Sequence, residues 1–241
     1  MSDMISTIDA FTGREIQRLR EQFLAQDEFL VIPDCLPTAT LADLLGALPR
    51  LRPAVHRNFI PKHKKGGSIS RYTLDASAPQ FPGLYLNPDL RRGLEQITGQ
   101  TLLDCPAEDP HTYALYYYTE PGDHIGWHYD TSYYRGIRYT VLIGLVDRSS
   151  SRLECQLYRG NAKRETEDLS LSLAPGMLVI FNGDKVYHRV TPLGANEERI
   201  ALTMEYVTDP SMAWFPRFVS NMKDAIAYFG LKAAFGRRRA I

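Results

Sequence analysis

A chain of 241 residues with 44% hydrophobic content can bury one substantial core, and no internal break divides it into two. Lysine plus arginine equals aspartate plus glutamate at 28 each, which argues against nucleic acid as a partner and against an acidic, disorder-prone chain, and leaves a small molecule held in a pocket as the expected ligand. Cys35, Cys105 and Cys155 are odd in number, far apart and without CxxC spacing, which disfavours a disulfide framework or zinc ribbon and fits a reducing cytoplasm, and no stretch reads as a signal peptide or membrane span.

In chain order, residues 13–25 mix Leu and Phe with Arg, Glu and Gln at helical intervals, and 29–32 then switch to a short apolar strand stopped by Pro33. Residues 40–48 and 88–97 read as helices, the second with Asn87 as cap, Pro88 at its first position and Gly99 beyond its end. Between these helices, 56–70 collects Lys62, His63, Lys64, Lys65, Gly66 and Gly67 and reads as a mobile loop, with a lid over the site as its functional alternative. From Tyr113 to Tyr206 the pattern becomes many short strands, predicted at 113–118, 138–146, 154–159, 169–173, 177–181, 185–190 and 199–207. Trp214 to Gly236 reads as an outer loop and helix, followed by a solvated tail of three arginines. The expected architecture is mainly β with flanking helices, a sandwich or jelly roll in one domain: helical support to about 110, a β core over about 111–208, and the loop and helix from about 209.

Within the strand region, His128-Tyr129-Asp130 is the informative run. Residues two apart in an extended chain point to the same side, so His128 and Asp130 can chelate one ion, and His188, after the apolar run 177–181, can complete the set from a second strand. Two imidazoles and one carboxylate hold iron(II) on one face and leave the other open. Eleven positions beyond His188, Arg199 opens a half-buried strand, where an unpaired guanidinium is costly but suits a bound carboxylate that its planar fork can grip. Strand parity adds Thr203 and Glu205 to the face of Arg199, and His124 to the face of His128 and Asp130.

This constellation resembles the Fe(II)- and 2-oxoglutarate-dependent dioxygenases, most strongly from Tyr116 to Tyr206, and residues 27–34 are similar to the opening strand of the prolyl-hydroxylase-like branch. The resemblance implies a double-stranded β-helix, Fe(II) at His128, Asp130 and His188, and 2-oxoglutarate and O2 as cosubstrates. It further implies Arg199 as the 2-oxoglutarate anchor, helped by either Tyr116 or Tyr118. Arg71 and Trp214 are similar to positions at which stand-alone amino-acid-modifying members of natural-product pathways hold substrate, with Glu120 or Glu205 for an amine. The halogenating branch replaces the ligand carboxylate by a small residue so that chloride can bind iron. With Asp130 present, the expected outcome is hydroxylation, desaturation or oxidative ring closure of a small carboxylate-bearing substrate, an amino acid or derivative. A cupin-like metalloenzyme without 2-oxoglutarate would leave Arg199 without its anion. A non-catalytic jelly-roll binding module would have no need of the triad.

Overall fold

The computed structural model describes residues 13–211 apart from 108, 131 and 133. The elements are α1 Gly13–Ala25, β1 Phe29–Ile32, α2 Thr38–Leu51, a 3-10 turn Arg52–Ala54, β2 His56–Ile60, β3 Lys64–Ser70, α3 Arg71–Ser77, α4 Gln80–Tyr85, α5 Pro88–Thr98 and β4 Leu103–Asp104. They continue as β5 Tyr113–Tyr118, β6 His124–His128, β7 Arg138–Arg148, β8 Leu153–Leu157, β9 Glu167–Leu171, β10 Leu178–Asn182, β11 Tyr187–Val190 and β12 Glu198–Val207. Local signals placed much of this. The Asn87 side chain accepts from the backbone N–H groups of Asp89 and Leu90 at 2.8 and 2.9 Å, and Gly99 ends α5 at φ 70°. Each of the seven strands predicted beyond residue 110 exists, with ends shifted by no more than two residues.

The strand order β1-β10-β7-β12-β5-β3-β6-β11-β8-β9 is antiparallel at every pairing. Strands β5, β12, β7 and β10 form one wall and β6, β11, β8 and β9 the other, with β3 joining them, as in a double-stranded β-helix. Side-chain alternation then makes two cores. Ile143, Leu178, Ile180, Leu202 and Met204 face outward against Phe23 of α1, Leu44 of α2 and Leu94 of α5, whereas Val179, Phe181 and Ala201 face inward with Leu153, Leu173 and Val190. Burying each large side chain in these layers contributes roughly 1.5–3 kcal/mol.

The expectation for 56–70 is corrected. The segment is a β-hairpin, and β3 is an interior strand bonded to β2, β5 and β6. Its Lys, Gly and Ser content disguised it, because Ile69 is its one apolar side chain in the outer core and Gly67 is there for closeness: a Cβ on Gly67 would lie 2.5 Å from Val55 Cγ1 and 3.3 Å from Tyr117 Cβ. A lid that must open would have to break this ladder. The support region is likewise not only helical, since it supplies β1, β2, β3 and β4 to the sheet, and α3 and α4 lie where no helix was expected. The outer helix and basic tail expected from residue 214 onward lie outside the described residues. Among the described residues, the three cysteines are buried and free, and no helix is long and apolar enough to cross a membrane.

Candidate active site

Pairing of β6 with β11 sets the site. His128 and His188 are direct register partners, so their rings leave neighbouring strands on the same side with centroids 4.2 Å apart. Asp130 lies two residues past the end of β6, where a Cβ on Gly183 would come within 2.5 Å of the Asp130 carbonyl oxygen and 2.9 Å of its Cβ; glycine there makes room for the turn. One ligand atom each from His128, Asp130 and His188 lie within 4.8 Å of one another, with His128 Nε2 at 3.4 Å and His188 Nε2 at 3.6 Å from the Asp130 carboxylate.

Both imidazoles are oriented from behind. Nδ1 of His128 bonds the Gly126 carbonyl at 2.8 Å and Nδ1 of His188 bonds the Val186 carbonyl at 3.1 Å, which directs each Nε2 to the shared centre. Burial, seconded by the nearby His128, lowers the His188 pKa to about 4 against the pull of Asp130. At His128 burial works downward, but the hydrogen bond and charge of Asp130 outweigh it and raise the pKa. Burial would raise the Asp130 pKa, yet the two imidazoles and Arg138 hold it well below the usual carboxylate range. An ionised carboxylate between oriented imidazoles is a donor set that fits a divalent transition metal.

The triad opens on a cavity of about 380 Å³. Arg199, 1% exposed, stands in its wall; Nη1 donates to the Ser151 carbonyl at 3.3 Å, Nε has no hydrogen-bond partner, and no carboxylate among the described residues pairs with the charge. Asp147, its register neighbour on β7, spends its oxygens on Ser149 and on the backbone N–H of Leu173. Tyr116 and Tyr118 line the same cavity, as do the apolar Leu142, Leu153, Leu173, Val190 and Ala201. A buried cation without a counter-ion, reached past an apolar wall, fits the distal carboxylate of a short dicarboxylate such as 2-oxoglutarate.

Parity on β12 holds: Thr203 and Glu205 line the cavity with Arg199. Glu205 Oε2 accepts from Arg138 Nε at 2.9 Å and lies 3.1 Å from the Thr140 hydroxyl, which also lies 2.8 Å from Asp130 Oδ2. Burial raises the Glu205 pKa to about 7 against the field of Arg138.

Three expected substrate contacts are corrected. His124 faces away because β6 carries a bulge, His128 pairing with His188 while Ile125 pairs with Val190, so that three steps on one strand match two on the other and parity inverts. Ile125 lines the cavity and His124 does not. Glu120 is drawn outward to Arg57 at 2.9 Å and is 55% exposed. Arg71 starts α3 and is outside the cavity lining: Nη1 donates to Thr112 Oγ1 at 2.9 Å, Nε is buried without a hydrogen bond 3.8 Å from Asp75, and the guanidinium covers the Tyr113 ring at 5.1 Å. Trp214 lies outside the described residues.

Sequence reasoning missed Arg138 and Thr140 although a strand from 138 was expected, and the alternation of 138, 140 and 142 was the signal that could have found them. His63, His111 and Tyr129 also line the cavity; the first two come from the β2–β3 turn and a loop, with no local signal.

A family profile described as Halogenase D matches residues 11–141, more than half of the chain, and covers His128 and Asp130. The chain belongs to the Halogenase D family. His188 and Arg199 lie beyond the matched stretch, so their place in this member of the Halogenase D family rests on the geometry above. No curated protein sequence matches the chain. Among solved structures, the fold is similar to the non-heme α-ketoglutarate-dependent epimerase SnoN from nogalamycin biosynthesis, at 14% identity over 80% of this chain and 81% of that one, TM-score 0.65. It is also similar to a prolyl hydroxylase from Trichoplax adhaerens in complex with a hypoxia-inducible-factor peptide, at 14% identity over 82% and 94% of the two chains, TM-score 0.62. AviO1 from Streptomyces viridochromogenes shares 16% identity over 85% of this chain and all of its own, TM-score 0.61. At such identities these likenesses show the fold, which is that of the Fe(II)/2-oxoglutarate oxygenases.

Proposed function

We propose that the chain is an Fe(II)- and 2-oxoglutarate-dependent oxygenase that removes hydrogen from a small carboxylate-bearing substrate, an amino acid or a derivative. The observation that carries this reading is one cavity lined both by the oriented His128, Asp130, His188 set and by Arg199, a buried guanidinium without a carboxylate partner among the described residues. Held there, iron(II) would let O2 act as the oxidant, with 2-oxoglutarate giving the balancing electron pair as it becomes succinate and CO2. The chain's own residues hold the metal through three side chains, grip the distal carboxylate of 2-oxoglutarate through Arg199 with Tyr116 or Tyr118 beside it, and exclude water with the apolar wall. Thr203 and Glu205 give the remaining wall polar contacts for substrate.

The family's name points to halogenation, and Asp130 points away from it. A carboxylate that is held ionised beside two imidazoles and hydrogen-bonded to Thr140 takes the position a halide would need. Hydroxylation, desaturation or oxidative ring closure is the reading this residue favours. A cupin-like enzyme that ignores 2-oxoglutarate would leave Arg199 without its anion, and a binding module would not need the oriented imidazoles.

The test is a metabolite screen for substrate-stimulated conversion of 2-oxoglutarate to succinate by the Fe(II)-loaded protein, with oxygen uptake followed and chloride supplied. Succinate with an oxygenated, desaturated or cyclised product supports the reading. Oxygen uptake without succinate would favour the cupin-like alternative, and a chlorinated product would overturn the role given to Asp130.

A further inference from the structure

The cavity contains a second guanidinium that neither metal binding nor the Arg199 subsite uses. Arg138 opens β7, is 7% exposed and lines the cavity. Of its five N–H donors, Nε is spent on Glu205, and the others donate to no acceptor among the described residues. The carboxylates nearby are already engaged: Asp109 accepts the Tyr134 hydroxyl at 2.6 Å and the His111 N–H at 2.8 Å, and Asp130 faces the imidazoles and Thr140. Arg138 is also held in place. Its partner Glu205 meets the Thr140 hydroxyl, which in turn reaches the metal-ligand carboxylate, so that three short contacts tie the plane of the guanidinium to the metal centre.

Resting on the oxygenase reading above, we propose that Arg138, and not Arg71, receives the carboxylate of the substrate and sets the position of that carboxylate relative to the metal. A planar guanidinium fixed on one edge by Glu205 still offers its Nη atoms to a second carboxylate, whereas Arg71 lies outside the cavity lining with Thr112, Asp75 and Tyr113. Arg138 thus distinguishes a free carboxylate from its neutral amide without adding to the grip on 2-oxoglutarate, which belongs to Arg199 on the far part of β12.

The experiment uses the Fe(II)-loaded full chain, with the common L-amino acids and their carboxamides as probes. Three quantities are read: the visible absorption band of the anaerobic Fe(II)–2-oxoglutarate complex, probe-stimulated succinate formation, and the melting temperature. In the parent protein one or more amino acids stimulate turnover and the matching carboxamide does not. Arg138→Gln keeps the absorption band but needs at least about 50-fold more of the stimulating amino acid, as expected for loss of a desolvated charge pair. Arg138→Lys recovers only part of this, and Arg71→Gln is unaffected. Because Arg138→Gln leaves Glu205 buried without its cation, the double change Arg138→Met with Glu205→Gln, which removes both charges, is compared with Glu205→Gln alone, and the double variant loses the response well beyond that single change. Unimpaired stimulation in Arg138→Gln or in the double variant, or loss in Arg71→Gln instead, overturns the proposal. If the parent forms the band yet no amino acid stimulates it, the assignment of Arg138 fails while the oxygenase reading stands; if no band forms, the oxygenase reading itself fails.

Discussion

Arg199 and Arg138 stand near opposite ends of β12, one at its first turnings into the roll and the other across from Val207, and both reach the same cavity. Among the described residues the Arg199 guanidinium is buried with one backbone acceptor for Nη1 and no partner for Nε, and burial lowers its pKa. The Arg138 guanidinium is as well buried but sits against Glu205, and although burial works downward, the Glu205 and Asp130 charges raise its pKa well above the usual value. One end of the cavity therefore has no protein carboxylate against its guanidinium among the described residues, and at the other Glu205 already meets one edge of the guanidinium and leaves the Nη edge open. An unpaired buried cation costs folding free energy and is tolerated where a ligand completes it, whereas a paired one holds neighbouring strands in register.

The harshest challenge to this contrast removes the metal set that shares the cavity with the two arginines. His128→Ala, Asp130→Ala and His188→Ala should each abolish turnover and weaken Fe(II) binding in calorimetry while circular dichroism stays native, because an open three-ligand site has no spare donor. Full turnover in any one of them would remove that residue from the site.

Next comes stability of the metal-free protein, where the two arginines should part company. Arg138→Met breaks a buried pair and strands Glu205, which should cost about 3–5 kcal/mol in chemical denaturation. Arg199→Met removes a charge that has no carboxylate partner among the described residues, so it should leave stability equal or higher. Equal losses would mean that the two ends are not different in kind.

A smaller effect of the same logic appears on adding cosubstrate. Arg199→Ala should raise the 2-oxoglutarate concentration needed for half-maximal turnover by about a hundredfold, about 2.7 kcal/mol, with Arg199→Lys intermediate. An unchanged requirement would free Arg199 from that role.

The mildest probe is pH. Burial raises the Glu205 pKa to about 7, above the roughly 4.3 of an unfolded glutamate, so the folded state holds more protons between those values. The Glu205 contribution to stability of the metal-free protein should therefore be lost as pH rises from about 4.3 to about 7, while His188, its pKa lowered to about 4, contributes the opposite slope up to about 6.5, so the parent should lose stability relative to Glu205→Gln across this window. A denaturant titration at several pH values measures the difference, and identical slopes would place the proton elsewhere.

What could be read from residue order alone was whatever obeys a short-range rule. The period of two along β12 placed Thr203 and Glu205 beside Arg199, and Asn87, Pro88 and Gly99 bounded α5 through capping chemistry. The two-residue spacing of His128 and Asp130 announced a chelate because it survives wherever the chain stays extended. Other features depended on partners far away in sequence. Residues 64–70 are a strand because β5 and β6 supply hydrogen bonds on both sides, which outweighs a composition of lysine, glycine and serine that by itself favours a loop. A bulge against β11 turned His124 outward, and the start of α3 kept Arg71 out of the cavity lining. The Asp130–Thr140–Glu205–Arg138 chain spans three separate segments, so no local pattern contains it. Local rules set which faces can meet, since side-chain direction follows backbone period. Which residues do meet was decided by strand pairing and its irregularities, because a single extra residue in a ladder reverses every direction beyond it.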